Sequence, residues 1–336
     1  MTATHVLDGY YLGITALITV GYQLLGFAVA WTFKFDKVTD LTGGSNFFLL
    51  ALFTLLAGDR TSDTRSLVVS ILVMIWAVRI AGFLFLRVLV TGSDTRFDSI
   101  RSHFWSFMGF WIGQMLWVWI VSLPVTILNS PKSASVDGHS HPDFGTGRDI
   151  AGVVIWGLGW LIETYADIHK FIWKQTHKGK QTAPMQSGLW AWSRHPPYFG
   201  EILCWWGIWT IVMSPAVARI LPSGARVALI VSVVSPLFTT ILLVFGSGIP
   251  TAEKPMAQRY YLMTHGPKAS PEDADVWPAY KSYLKSTSLL VPIPRALYRP
   301  MPAWLKRYLL LDLPFFNFDE KTDGPRVIEE EKKKAS

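Results

Sequence analysis

The chain has 336 residues, of which half are hydrophobic, 14% aromatic and only 16% charged, with 16 Trp and a formal net charge of +7. About one residue in four is charged in a soluble chain, so this composition excludes an ordinary soluble domain and points to the bilayer. The positive excess suits anionic lipid headgroups or an anionic ligand, and without a basic patch on a soluble module it excludes a nucleic-acid partner. The lone Cys204 excludes an internal disulfide and reads as packing among tryptophans.

Crossing a bilayer takes roughly 20 mostly apolar residues. In chain order, such runs cover 9–33, 41–58, 66–90, 104–128, 150–166, 202–218 and 227–249. They predict an all-α fold, a polytopic membrane helical bundle of about seven transmembrane helices. The first run lacks a basic flank, and Trp31-Thr-Phe33 is no small-residue cleavage site, so it is expected to stay as the first span. Residues 129–149 form a polar connection. His139 and His141 lie there without a carboxylate–cysteine frame, so no metal site is expected. From 251 to 298 the chain is Pro-rich, aromatic and amphipathic. Residues 304–316, with apolar positions around Lys306 and Arg307, predict a helix lying in the interface, and the charged stretch from Asp319 onward predicts disorder. The domain organisation is thus a first span over 1–35, one membrane domain over 36–298, and an interfacial helix with a charged tail over 299–336.

With seven spans the termini lie on opposite sides. The connections richer in Lys and Arg include Lys34, Lys37, Arg96, Arg101, Lys170, Lys174 and Arg194, and the positive-inside rule puts them and the C-terminus in the cytosol. Lys333 and Lys334, close to the final Ser336, resemble the dilysine retrieval signal of endoplasmic-reticulum membrane proteins; the other reading is a solvated charged tail.

Polar groups inside or against apolar runs are costly unless something uses them. Arg79 lies within the third run and must face the protein interior, a partner carboxylate or a ligand. Arg96 and Arg101, beside Asp94 and Asp98, have the planar donors that suit phosphate, although a solvated loop would look the same. Glu163 and Asp167 are four apart, on one helical face, where they could hold a ribose hydroxyl, pair with Arg79 or cap the span next to water. The densest cluster is Arg194, His195, Tyr198 and Glu201, just before a Trp-rich run: Arg194 and His195 could contact a phosphate or amide, Tyr198 offers a hydroxyl, and Pro196-Pro197 stiffens the entry.

The order of fragments is specific. Gly-Leu-Trp-x-x-Ser-Arg-His-Pro-x-Tyr-x-Gly-Glu from Gly188, Ser-Gly-Ile-Pro-x-x-Glu ending at Glu253, and Tyr-x-x-Tyr-x-x-x-Thr-Ser through Tyr283 and Thr287 to Pro292 resemble the steroid 5-alpha-reductase C-terminal domain superfamily. More narrowly, with Asp36 to Phe47, Trp76-x-x-Arg79, Asp94-x-Arg96 and Glu163-x-x-x-Asp167, the chain resembles that superfamily's uncharacterised domain-of-unknown-function branch. It is more distantly similar to sterol reductases and isoprenylcysteine methyltransferases.

The resemblance covers about Asp36 to Pro292. It implies a membrane fold without a Rossmann unit, consistent with the absence of a G-x-G-x-x-G turn. It also implies a cytosolic pocket for NADPH, or for S-adenosylmethionine in the methyltransferase relatives. Arg79, Arg96, Arg101, Arg194 and His195 would be cofactor contacts, with Glu163, Asp167, Tyr198 and Tyr283 as polar contacts. Tyr198 or Glu201 would carry the proton. Two positions depart from the reductase pattern: its Asn is Pro197, and its catalytic Tyr is Trp76, whose indole supplies no phenolic proton. The expected activity is reduction of a carbon–carbon double bond in a membrane lipid or sterol-like substrate. The alternatives are a lipid or prenyl methyltransferase and a non-enzymatic sterol-binding protein.

Overall fold

A computed structural model describes residues 6–35, 37–92, 100–134, 143–177, 183–218 and 221–335. Among these the structure is helical and has no strand. The early helices are α1 (Leu12–Phe33), α2 (Val38–Ala57), α3 (Thr64–Thr91), α4 (Phe104–Val121) and α5 (Leu123–Asn129). Next come α6 (Gly147–Thr176), α7 (Pro196–Val217), α8 (Ser223–Val231), α9 (Val234–Ile241) and α10 (Ile249–His265). The chain ends with α11 (Val276–Ser286), α12 (Arg295–Tyr298), α13 (Ala303–Tyr308) and α14 (Asp323–Ala335). Six stretches are long and apolar enough to cross a membrane: α1, α2, α3, α4, α7 and the run Ser223–His265. The protein is therefore an all-α polytopic bundle. The expected fifth span, 150–166, is missing from this set. It falls in the 30-residue α6, where Glu163 and Asp167 cut the apolar stretch.

The chain forms two compact units, Met1–Leu158 with Leu203–Thr239, and Gly159–Ile202 with Thr240–Ser336. In the first, α2 packs on α3, and α1 packs on both α2 and α4. A β-carbon at Gly44 would stand 2.8 Å from that of Ala81, so glycine lets α2 and α3 touch. Arg87 of α3 pairs with Asp40 of α2 at 3.7 Å. Leu17, Leu25, Leu56, Val78 and Leu86 are exposed, as lipid-facing side chains are. The interior holds polar groups instead: Gln23 Nε2 donates to Asn46 Oδ1 at 3.1 Å, and Gln114 Nε2 to Gln23 Oε1 at 2.8 Å. Such interior bonding is what a lipid solvent demands of polar side chains in spans.

Trp76 is buried here. Its ring lies 5.2 Å from Phe47 and 5.0 Å from Trp205, with Trp117 at 6.4 Å, in an aromatic core. An ionic centre closes another part of this unit. Arg65 Nε and Nη2 donate to Asp149 Oδ1 and Oδ2 at 2.9 and 2.7 Å, and Ser214, Thr146 and the Gly145 amide also donate to that carboxylate.

In the second unit, α10 and α11 share a core of Tyr260, Tyr261, Trp277, Tyr280 and Tyr283. Two expectations are corrected here. The tail predicted to be disordered contains α14, whose Val327 and the preceding Phe318 enter that core. An apolar pair, Val327-Ile328, among charges is enough to dock a helix that composition alone reads as solvated. The interfacial helix predicted over 304–316 is only the six-residue α13, because Leu311 takes a positive φ of 58° and Pro314 starts a separate 3-10 turn.

Candidate functional site

The second unit's site is built where the chain enters α7. Ser193 Oγ donates to the Leu290 carbonyl at 2.7 Å and accepts the His195 amide at 3.1 Å, while the Arg194 amide donates to the Ser288 carbonyl at 2.8 Å. These bonds link the Ser-Arg-His fragment to the Thr-Ser fragment about 95 residues later, and α7 then starts at Pro196. Pro197 falls in its first turn, where an amide has no intrahelical partner, so proline fits the position. Further along α7, Gly200 lies against α6: a β-carbon there would be 2.6 Å from the Gly159 carbonyl oxygen and 2.7 Å from Glu163 Cβ.

The Ser-Gly-Ile-Pro-x-x-Glu fragment also has a local physical cause. A π-helical turn, Leu242–Gly246, precedes the restart of the chain as α10 at Ile249. A β-carbon at Gly248 would be 2.2 Å from the Leu243 carbonyl oxygen, so only glycine closes this turn. Pro250 opens α10, and Glu253 follows one turn later.

Glu253 is the centre of the site. Arg194 Nη1 donates to Glu253 Oε2 at 2.5 Å, and His195 Nε2 lies 2.8 Å from Oε1. Arg194 Nη2 donates to Asp312 Oδ1 at 2.7 Å, and the Tyr298 hydroxyl donates to the other Asp312 oxygen at 2.5 Å. Arg194, His195 and Glu253 are all at least nine-tenths buried. Burial opposes the charge of Arg194, but Glu253 and then Asp312 outweigh it and raise its pKa above the ordinary arginine value. Burial also pushes His195 below the ordinary imidazole value, against the hydrogen bond and charge of Glu253. His195 is therefore neutral at pH 7. Because an ionised carboxylate only accepts, its proton sits on Nε2. The Arg194 Nε is buried and has no hydrogen-bond partner among the described residues.

Around this centre, the Tyr198 ring stacks on His195, with centroids 5.3 Å apart and planes 3° apart. Lys170 Nζ sits 3.8 Å over the Trp190 ring, whose Nε1 donates to the Ala166 carbonyl at 3.0 Å. Tyr283 is buried and donates to the Trp190 carbonyl at 3.4 Å. Burial raises the Tyr283 pKa, so its phenol keeps its proton.

Of the residues singled out in the sequence, Glu163, Asp167, Arg194, His195, Tyr198, Glu201 and Tyr283 belong to this unit. Glu163 is buried, and Asp167 and Glu201 are half-buried. Arg79 and Arg101 belong to the first unit, where the Arg79 guanidinium lies 5.7 Å from the Phe83 ring. Arg96, with Asp36, Asp94, Asp98, His139 and His141, lies outside the described residues. Among the described residues no group of three or more His, Cys, Asp or Glu is arranged to hold a metal ion.

Sequence reasoning missed three groups. Glu253 was seen as a motif letter and not as the carboxylate that binds Arg194 and His195 together. Asp312 carries no local signal, because Arg194 is 118 residues away, and Tyr298 joins the site only through Asp312. Arg65 lies just before the apolar run 66–90, where nothing local signals burial, yet it is buried.

Apolar spans around hydrogen-bonded interiors, with a buried ionic centre at a helix entrance, define a polytopic integral membrane protein. A family model described as "Protein of unknown function (DUF1295)" matches residues 26–265, so the chain belongs to that family. No curated protein and no solved structure matches it.

Proposed function

We propose that this protein is an NADPH-dependent reductase of a carbon–carbon double bond in a membrane lipid or sterol-like substrate. The observation that carries the reading is the buried Arg194–Glu253–His195 centre with Tyr198 stacked on it. These are the residues through which the chain resembles the steroid 5-alpha-reductase C-terminal domain superfamily.

The donor set fits NADPH on one condition. Glu163 and Asp167 suit ribose hydroxyls, Lys170 and the Arg194 Nε suit phosphate, and Trp190 and Tyr198 offer stacking surfaces. The condition is Asp312, which holds Arg194 Nη2; a phosphate on that nitrogen has to take its place. Bound NADPH would supply the hydride. The protein's part is to exclude water, hold the substrate's double bond and deliver a proton to the second carbon. Tyr198 is the proton donor in this scheme, since it carries a phenolic hydroxyl and its ring is stacked against neutral His195. Glu201, three residues on along the same helical face, reprotonates it from solvent.

The excess of carboxylates favours a second reading. Arg194 is neutralised by Glu253 and Asp312, and Glu163, Asp167 and Glu201 add negative charge, which suits the sulfonium of S-adenosylmethionine and lipid methylation. Titration of the purified protein in neutral detergent with each cofactor separates the two. NADPH binding that is lost in Arg194→Ala supports the reductase, whereas S-adenosylmethionine binding without NADPH binding overturns it.

The proposal includes residence in the endoplasmic-reticulum membrane with the C-terminus cytosolic. The 30 residues of α6 rise about 45 Å, enough to add a seventh crossing. Protease protection of epitope tags on sealed microsomes tests this orientation.

A further inference from the structure

The first unit contains a cavity of about 320 Å³ lined by Ala30, Lys34, Arg101, Ser102 and Phe107. Its polar wall joins the C-terminal end of α1 to the residues just before α4. Both helices are apolar enough to cross a membrane, so the cavity lies at a membrane boundary. Its floor continues into an aromatic cluster of Phe27, Trp31, Phe104 and Phe107, with Trp31 5.2 Å from Phe104 and Phe27 5.8 Å from Phe107. Around it Phe33, Phe35, Phe104 and Trp105 are exposed, the arrangement aromatic side chains take at headgroup depth. Lys34 Nζ lies 4.0 Å over the Trp31 ring, which holds its ammonium at the cavity.

We infer that this cavity binds the phosphate of an anionic phospholipid. Lys34, Arg101 and the Ser102 hydroxyl receive the phosphate oxygens, and Ala30, Phe107 and the aromatic cluster receive the start of an acyl chain. The two cations answer the charge, and the apolar floor separates a lipid from a soluble anion, which would leave that surface uncovered. This site is independent of the reductase reading and uses none of the second unit's residues. It also gives Arg101 a lipid phosphate in place of the cofactor contact expected from the sequence.

The test is binding by the full-length protein in neutral detergent of dioleoyl phosphatidic acid, dioleoyl phosphatidylcholine and inorganic phosphate. Native mass spectrometry would count bound lipids, and tryptophan-monitored unfolding would report stabilisation. Phosphatidic acid should bind and stabilise, phosphatidylcholine much more weakly, and inorganic phosphate not at millimolar concentration. Lys34→Ala/Arg101→Ala should weaken phosphatidic acid binding roughly 30-fold, about five- to sixfold for each cation. Lys34→Arg/Arg101→Lys keeps both charges and should stay within about threefold. Only the size-exclusion monomer peak would be used, so a misfolded fraction does not count. Equal binding of the two lipids, a double alanine variant as tight as wild type, or saturation by inorganic phosphate alone would overturn the inference.

Discussion

Removing Arg65 measures how far the first unit depends on its ionic centre. Asp149 receives six donor bonds, two of them from Arg65, and both side chains are at most 1% exposed. Asp149 lies in the first turn of α6, ahead of its apolar stretch. Burial raises its pKa, but the bonds from Arg65, Ser214 and Thr146 overcome this and bring it from 3.8 to about 2. That difference corresponds to ~2.5 kcal/mol in favour of the charged form. Arg65→Met deletes the only cation among the six donors and leaves a buried carboxylate, a change that costs about 3–5 kcal/mol. Taking ~3 kcal/mol, the midpoint of tryptophan-monitored unfolding in detergent should fall by roughly 6–12 °C. A depressed carboxylate stabilises above its unfolded pKa and loses that contribution as pH falls through its folded pKa. Wild type should thus lose this part of its stability between about pH 4 and pH 2, and Arg65→Met, whose stranded carboxylate no longer favours the charged form, should not show that loss. Arg65→Met/Asp149→Asn removes the stranded charge and should recover at least half of the loss. A midpoint within 1 °C of wild type for Arg65→Met, or a double variant weaker than the single, would refute the argument.

Three shorter tests address the second unit. Burial holds His195 neutral, so below pH 6.5 the unfolded chain takes up a proton that the folded one refuses; stability should fall on acidification from pH 7.5 to 5.5, and His195→Gln should flatten that slope in a thermal-shift series. Asp312→Asn removes the charge competing for Arg194 Nη2. It should tighten NADPH binding roughly tenfold, a ~1.4 kcal/mol gain, and unchanged or weaker binding in a fluorescence titration would argue against an anion at Arg194. Gly200→Val forces a β-carbon against the Gly159 carbonyl and should cost ~2–3 kcal/mol in detergent unfolding, whereas Gly157→Ala, with nothing within 4 Å, should be close to neutral.

What the sequence disclosed follows the range of each physical signal. Hydropathy is a local average, so the apolar runs could be read directly, and only α6 departed, where Glu163 and Asp167 interrupt the run. Local backbone demands left marks too: Gly248 and Pro250 in the Ser-Gly-Ile-Pro fragment are dictated by a turn that excludes a side chain. The ionic pairings were not legible. Glu253 lies 59 residues from Arg194 and Asp312 lies 118 away, separations at which spacing carries no pairing information. A charge just outside an apolar run gives no sign that Arg65 is buried, and charge content made 323–335 look disordered when Val327 anchors a helix.

The two buried arginine centres differ in how completely they are satisfied, and that difference bears on function. At Asp149 every donor is a buried or part-buried group of the same unit, and both carboxylate oxygens are fully engaged. Such a centre gains nothing by opening, which is the mark of a structural clamp. At Arg194 one guanidinium nitrogen is buried without a partner among the described residues, another is held by an aspartate whose side chain is 16% exposed, and the adjacent imidazole is kept uncharged. An orphaned buried donor is tolerated where something else completes it. The second centre also has a reachable anion that a ligand's phosphate can replace at little cost, since one negative group substitutes for another. This asymmetry supports the proposal of a bound anion at Arg194, and the response of NADPH affinity to Asp312→Asn is the measurement that separates a binding centre from a second clamp.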